Sequence, residues 1–165
     1  MTARSSMNAF VYNLVLAFCW AAVTGDFSFG SLLTGGVLGF FALWLSAPLI
    51  GIDGFYFLRV WRVIRLAGFF FWELMLSSVK VAWDVIRPFP RNNPKIIEMP
   101  LDVESDLEIL LLTNLISLTP GTLSVDVTSD RKTLIVHAMF ADDPEAEVSN
   151  LKGGMERMVR EAFHP

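Results

Sequence analysis

Pro88-Phe89-Pro90-Arg91-Asn92-Asn93-Pro94-Lys95-Ile96-Ile97-Glu98-Met99-Pro100-Leu101-Asp102-Val103 is where the chain changes solvent. Three prolines and two asparagines between 88 and 95 cannot continue a helix and mark a linker. After them, Ile97, Met99, Leu101 and Val103 alternate with other residues as in a half-buried strand, and Pro100 assigns that strand to a sheet edge. Charge divides at the same place. Residues 1–95 carry eight Lys+Arg and four Asp+Glu, whereas residues 96–165 carry five and thirteen. The 165 residues, 53% of them hydrophobic, have a mean hydropathy of +0.50. A greasy basic half and an acidic patterned half imply lipid for the first and water for the second. This reading gives a helical membrane region over 1–87, a linker over 88–95 and a small domain over 96–165. It disfavours disorder, a fully soluble enzyme and nucleic-acid binding, which needs a basic face.

Upstream of the linker lie three apolar stretches, Asn8 to Thr24, Phe29 to Ile50 and Phe55 to Ile86. At about 1.5 Å per residue against about 30 Å of hydrocarbon, the second is long enough to cross and the first is slightly short. Gly25 and Asp26 form the turn between them, with Asp26 and Ser28 offering oxygens to cap the second helix. The pair reads as a hairpin retained in the membrane rather than a cleaved signal, because bulky Phe18 precedes Cys19 and a second apolar run follows at once. Cys19 excludes an intrachain disulfide and is expected to pack as a small hydrophobe. Ser31, Gly35 and Gly39 recur every fourth residue and can form a helix-packing seam, although glycine is common in membrane helices generally. Pro48 and Gly51 are expected to end the second helix.

The third stretch is basic at both ends. Arg59, Arg62 and Arg65 lie near its start, and Arg87 and Arg91 follow its end, as interfacial anchors do. Two readings stay open: its first part lies at the interface and the rest crosses, or all of it lies along the membrane surface or another protein. Glu73, Lys80 and Asp84 fall inside it. A carboxylate in hydrocarbon is costly, so Glu73 should face a partner or water, either as a proton or cation ligand or as a hydrogen-bonding group between subunits. Lys80 and Asp84 are four apart and can pair.

Downstream, Ser105 with Glu108 forms a capping box that opens a helix from Asp106 to about Leu118. That helix is apolar nearly all round yet too short to cross, so it is deeply buried or pressed against other protein. Thr119-Pro120-Gly121 breaks it. Leu123, Val125 and Val127, then Leu134, Val136, Ala138 and Phe140, read as a hairpin with one dry face around a turn at 129–132. Asp143-Pro144 opens a closing helix whose middle Gly153 and Gly154 weaken. The order βαββα predicts a three-stranded antiparallel sheet with both helices on one face and the third strand between the first two, close to a ferredoxin-like fold without its last strand.

Catalytic signatures are missing. No phosphate-binding glycine loop, zinc spacing or nucleophile elbow occurs, so no cofactor is expected. His137 and His164 lack companions for a metal site, and the acidic runs Glu104 to Glu108 and Asp142 to Glu147 read as solvated caps.

The run Leu110-Leu111-Leu112-Thr113-Asn114-Leu115-Ile116-Ser117-Leu118-Thr119-Pro120-Gly121-Thr122-Leu123, with Val125-Asp126-Val127 and Leu134-Ile135-Val136-His137-Ala138, resembles the E subunit of the multisubunit sodium/proton antiporters called Mrp, Mnh or Pha. The resemblance extends over nearly the whole chain, with Asn114, Thr119, Pro120 and Gly121 its most specific part. It implies a small subunit of a large bacterial inner-membrane complex related to respiratory complex I modules. That complex exchanges sodium ions and protons, mainly through larger subunits, and the small subunit in question is multi-pass with a cytoplasmic C-terminal domain. Partners would be the other subunits and the lipid bilayer. The alternative from the residues alone is a stand-alone membrane-tethered binding or sensory module.

Overall fold

A computed structural model describes residues 2–50, 54–88 and 92–164. They form two compact units, residues 1–61 and 62–165, considered separately below. The division falls within a helix and well ahead of the proline linker expected to separate the halves. The reason is tertiary: Leu66 and Phe69, upstream of that linker, pack into the core of the downstream domain.

In the first unit, α1 (Thr2–Thr24) and α2 (Phe29–Ile50) form the hairpin. Gly25 turns the chain with a φ of +69°, where a side chain would be strained. Asp26 accepts from the Ser28 amide at 2.9 Å, and the Ser28 oxygen accepts from the Ser31 amide at 3.3 Å, capping α2. α2 runs past Pro48 to Ile50 rather than stopping at the proline, and Gly51 lies outside the described residues. Cys19 is exposed on α1, not packed inside. Most large side chains of both helices point outward, Leu45, Leu49 and Phe29 among them.

A third helix, α3 (Phe55–Ile86), covers the whole third apolar stretch. Its first residues belong to the first unit, where the Asn13 amide donates to the Tyr56 hydroxyl at 2.8 Å. From Arg62 onward it belongs to the second.

The second unit continues with β1 (Lys95–Pro100), α4 (Asp106–Leu118), β2 (Thr122–Val127) and β3 (Thr133–Ala138). α5 (Pro144–Leu151) then passes through a π-helical segment (Lys152–Glu156) into α6 (Arg157–Phe163). The sheet is antiparallel in the order β1-β3-β2, so Pro100 is on an edge strand and the third strand is central. Met99, Leu134 and Val136 from the sheet meet Leu112 and Ile116 of α4 and Val159 of α6, all fully buried.

β2 departs from its expected dry face. Leu123 and Val125 are exposed, while the Ser124 hydroxyl turns toward α4 and donates to Thr113 O at 3.0 Å. The pairing slips between Ser124 and Asp126, making Val125 the extra residue of a bulge. Beyond that bulge Val127 joins the core, so only the end of β2 keeps the predicted phase.

Candidate functional site

The break between α4 and β2 is built from Thr119-Pro120-Gly121-Thr122. Thr119 caps α4, its amide donating to Ile116 O at 3.2 Å. The Thr119 and Thr122 hydroxyls each lie 2.7 Å from that same carbonyl and 2.8 Å from one another. A helix leaves its last carbonyls unpaired, and these hydroxyls satisfy one of them, while Pro120 prevents continuation. Gly121 has a φ of +94°, and a Cβ there would stand 3.4 Å from the Phe140 ring. Its carbonyl accepts from the Met139 amide at 2.7 Å, tying the loop to the end of β3.

This loop forms one wall of a cavity of about 460 Å³ within the second unit. α3 supplies the opposite wall with Phe69, Glu73, Ser77 and Lys80, and the α5–π segment adds Glu147, Gly154 and Arg157. Glu73 is half-buried, Ser77 donates to Glu73 O at 2.6 Å, and Lys80 Nζ lies 4.5 Å from the Phe140 ring centroid. Lys80 thus turns to an aromatic face, a contact that stabilises an ammonium by about 1 kcal/mol. Phe69 reaches the space left by Gly154, where a Cβ would sit 3.0 Å from Phe69 Cζ. The two glycines that weaken the closing helix by sequence sit in its π-helical segment, and Gly154 admits this ring.

Of the residues singled out by sequence, Glu73, Lys80, Thr119, Pro120 and Gly121 therefore line one cavity. Asp84, further along α3, is buried and has a partner of its own. Asn114 is apart from them, exposed on α4 with its amide donating to Leu110 O at 2.6 Å. Ser31, Gly35 and Gly39 lie in the hairpin facing α1. A Cβ on Gly35 would stand 2.8 Å from Trp20 Cβ and 2.9 Å from Ala17 O, and one on Gly39 would stand 2.6 Å from Asn13 Oδ1. Ser31 Oγ is 3.3 Å from Thr24 Oγ1.

The arginines divide by role. Arg62 donates to the carbonyls of Glu161 and His164, and Arg65 pairs with Glu161 at 3.3 Å. A cation at the carbonyl end of α6 is favourable there, so Arg62 serves the protein rather than a lipid headgroup. Arg59 is exposed, Arg87 lies 5.6 Å from the Trp83 ring centroid, and Arg91 is outside the described residues.

The burial of two acids, Glu108 and Glu156, escaped the sequence reading. Glu108 is 1% exposed rather than a solvated cap. Its carboxylate accepts from Ser105 N at 3.0 Å and Ser105 Oγ at 2.6 Å and lies 2.8 Å from His164 Nε2. Burial pushes this carboxyl up, but the Ser105 bonds and the His164 charge outweigh it and hold it below the ordinary glutamate value. Glu156, also buried, accepts from Asp102 N at 2.6 Å and Val103 N at 3.3 Å, fastening the end of β1. The capping box locates Glu108 in the sequence. Glu156 carries no such signal, because the π-helical segment shifts the phase that would have flagged it as inward.

A helical hairpin, a long basic helix and a βαββα unit with a Thr-Pro-Gly-Thr loop define a small protein with two candidate membrane helices and an α+β domain. The family model described as Na+/H+ ion antiporter subunit matches residues 13–162, and the chain belongs to that family. It is 34% identical to the E1 subunit of the Na(+)/H(+) antiporter of Staphylococcus haemolyticus over 92% of this chain and 94% of that protein. Against the corresponding E-type antiporter protein of Alkalihalophilus pseudofirmus the identity is 35%, over 90% and 94%. The same fold occurs in a chain of the membrane-bound sulfane sulfur reductase, an archaeal respiratory membrane complex. That match has a TM-score of 0.59 and 21% identity, covering 94% of this chain and 98% of that one.

Proposed function

We propose that the chain is an accessory subunit of a multisubunit sodium/proton antiporter in a bacterial cell membrane, supporting assembly and ion exchange without catalysing a chemical reaction. The hairpin of α1 and α2 crosses the bilayer, which makes the protein multi-pass, and the α+β domain, a ferredoxin-like fold lacking its last strand, lies on the cytoplasmic side. The observation that carries this reading is α4. Its inner side is fully buried at Leu112 and Ile116, yet Leu107, Leu110 and Leu118 on the same helix are mostly exposed. Apolar surface of this kind on a soluble domain marks a protein interface. Gly35 and Gly39 hold the hairpin together, and Glu73 hydrogen-bonds a neighbouring subunit or water.

Copurification in mild detergent with mass measurement tests it. Larger multi-span subunits are expected to accompany the tagged chain. A chain that purifies alone, folded and monomeric, would overturn the proposal in favour of a self-sufficient module. For Glu73, the Glu73→Ala variant should lower the yield of complex more than it alters ion affinity, and a normally assembled variant with changed sodium or pH dependence would refute the assembly role.

A further inference from the structure

By length and composition α3 is a candidate membrane span. Its two sides argue for a different placement. Along one side, Arg62 and Arg65 bond to α6, Leu66 enters the core, Phe69 fills the gap at Gly154, and Lys80 covers Phe140. From Arg62 to Lys80 is about 27 Å of helix axis, nearly the full thickness of the hydrocarbon layer. At intervals along that length the helix touches, and across one cavity faces, a domain whose Asp102, Glu104 and Asp126 are exposed and whose sheet has open edges. Such a domain cannot be immersed in hydrocarbon beside a crossing helix, because each unpaired polar group there would cost several kcal/mol.

Another side of α3 carries Trp61, Trp72 and Trp83, which are 63%, 67% and 59% exposed. Their spacing of eleven residues is close to three full turns and keeps them in line along the helix. Ile64, Met75 and Val79 lie exposed between them. Tryptophan concentrates where hydrocarbon meets headgroups, its ring apolar and its N–H wet. On a crossing helix the outer two would reach opposite boundaries about 33 Å apart, but Trp72 would stand at the midplane. On a helix lying flat all three share one depth.

We infer that α3 lies in the plane of the membrane, with the Trp61, Trp72 and Trp83 stripe seated in the headgroup boundary of one leaflet and the side about a quarter-turn away touching the α+β domain. This rests on the chain being a membrane subunit, but it removes α3 from the crossing segments and makes it the membrane-facing edge of the domain.

The test uses the tagged chain within its assembled complex in native vesicles. Arg59→Cys and Arg87→Cys are placed singly in a Cys19→Ala background and exposed to a membrane-impermeant maleimide, first in right-side-out and then in inverted vesicles, with modification read as a gel shift. Both positions should be modified from the same side, and modification from opposite sides would overturn the inference. In parallel, a phospholipid with a photoreactive diazirine in its acyl chain should label peptides containing Trp61, Trp72 and Trp83. Absence of label at all three would show a protein neighbour covering the stripe and would equally overturn it. Release of the chain from washed membranes would instead count against the membrane-subunit reading, so the two failures are separable.

Discussion

The hairpin and the α+β domain both pack tightly, but by opposite means. Between α1 and α2 the contact is made by missing atoms: Gly35 and Gly39 bring backbones to distances at which any Cβ would collide with Trp20, Ala17 or Asn13. In the domain the contact is made by volume, with Met99, Leu112, Ile116 and Leu134 filling one buried cluster. Lipid tails are as apolar as leucine, so hydrophobic side chains give membrane helices no reason to prefer one another, and close backbone approach must supply the attraction. Water does drive the domain's side chains together. With the hairpin in lipid, as proposed, the two units differ as their solvents require: small residues specify packing in one and large apolar residues in the other.

α4 offers the sharpest way to break that comparison. Leu112→Ala should destabilise the domain by about 3 kcal/mol, since it empties a fully buried site. Leu110→Ser, only two positions away but 58% exposed, should leave thermal unfolding within about 0.5 kcal/mol of the parent while reducing copurification of other subunits. Thermal melts of the tagged chain within its purified complex and pull-down yields read the two effects separately. A large loss of stability from Leu110→Ser would place the outer side of α4 inside the fold and remove the interface.

A smaller effect is expected in the hairpin. Gly35→Leu should cost about 2 kcal/mol, because the added Cβ would stand 2.8 Å from Trp20 Cβ and 2.9 Å from the Ala17 backbone oxygen, which cannot yield. Gly36→Leu is the control: nothing lies within 4 Å of a Cβ there, and it should be tolerated. Heat stability in detergent compares them. Equal behaviour of the two variants would mean that α1 and α2 do not rely on this seam.

What could be read from the amino acids follows the range of the interaction. The capping box of Ser105 and Glu108, the Asp143-Pro144 helix start and the turn at Gly25 depend on neighbours a few residues away, and all three form as their residue types require. The strand order followed from connection rules together with Pro100, which is confined to an edge. The phase of β2 was hidden, because the bulge at Val125 is decided by pairing with β3 and by Thr113 on α4 rather than by local alternation. The cavity was half legible. Thr119 to Thr122 announced a specific loop, and Glu73 announced a carboxylate needing company, but only the docking of α3 on the domain places them around one space. The compact units divide within α3 for the same reason: proline marks where a helix must stop, whereas Leu66 and Phe69 determine what that helix packs against.

The subtlest expectation concerns acid and separates the domain from the hairpin once more, since α1 and α2 contain no comparable buried carboxylate among their described residues. Glu108 is held below its ordinary value near 4.5 in the folded state, so on acidification the unfolded chain takes up this proton first. The stabilisation from Glu108 is therefore fully present above about pH 4.5 and is lost as pH falls through the lower folded value. Glu108→Gln keeps the shape but cannot titrate, and it removes the negative charge beside His164. The variant should be less stable than the parent at neutral pH, and the gap should narrow as the pH approaches about 4 and below. Denaturation midpoints of both proteins across that range would check it. A gap independent of pH would mean that the Ser105 bonds act without the carboxylate charge, leaving Glu108 a neutral capping group in all but name.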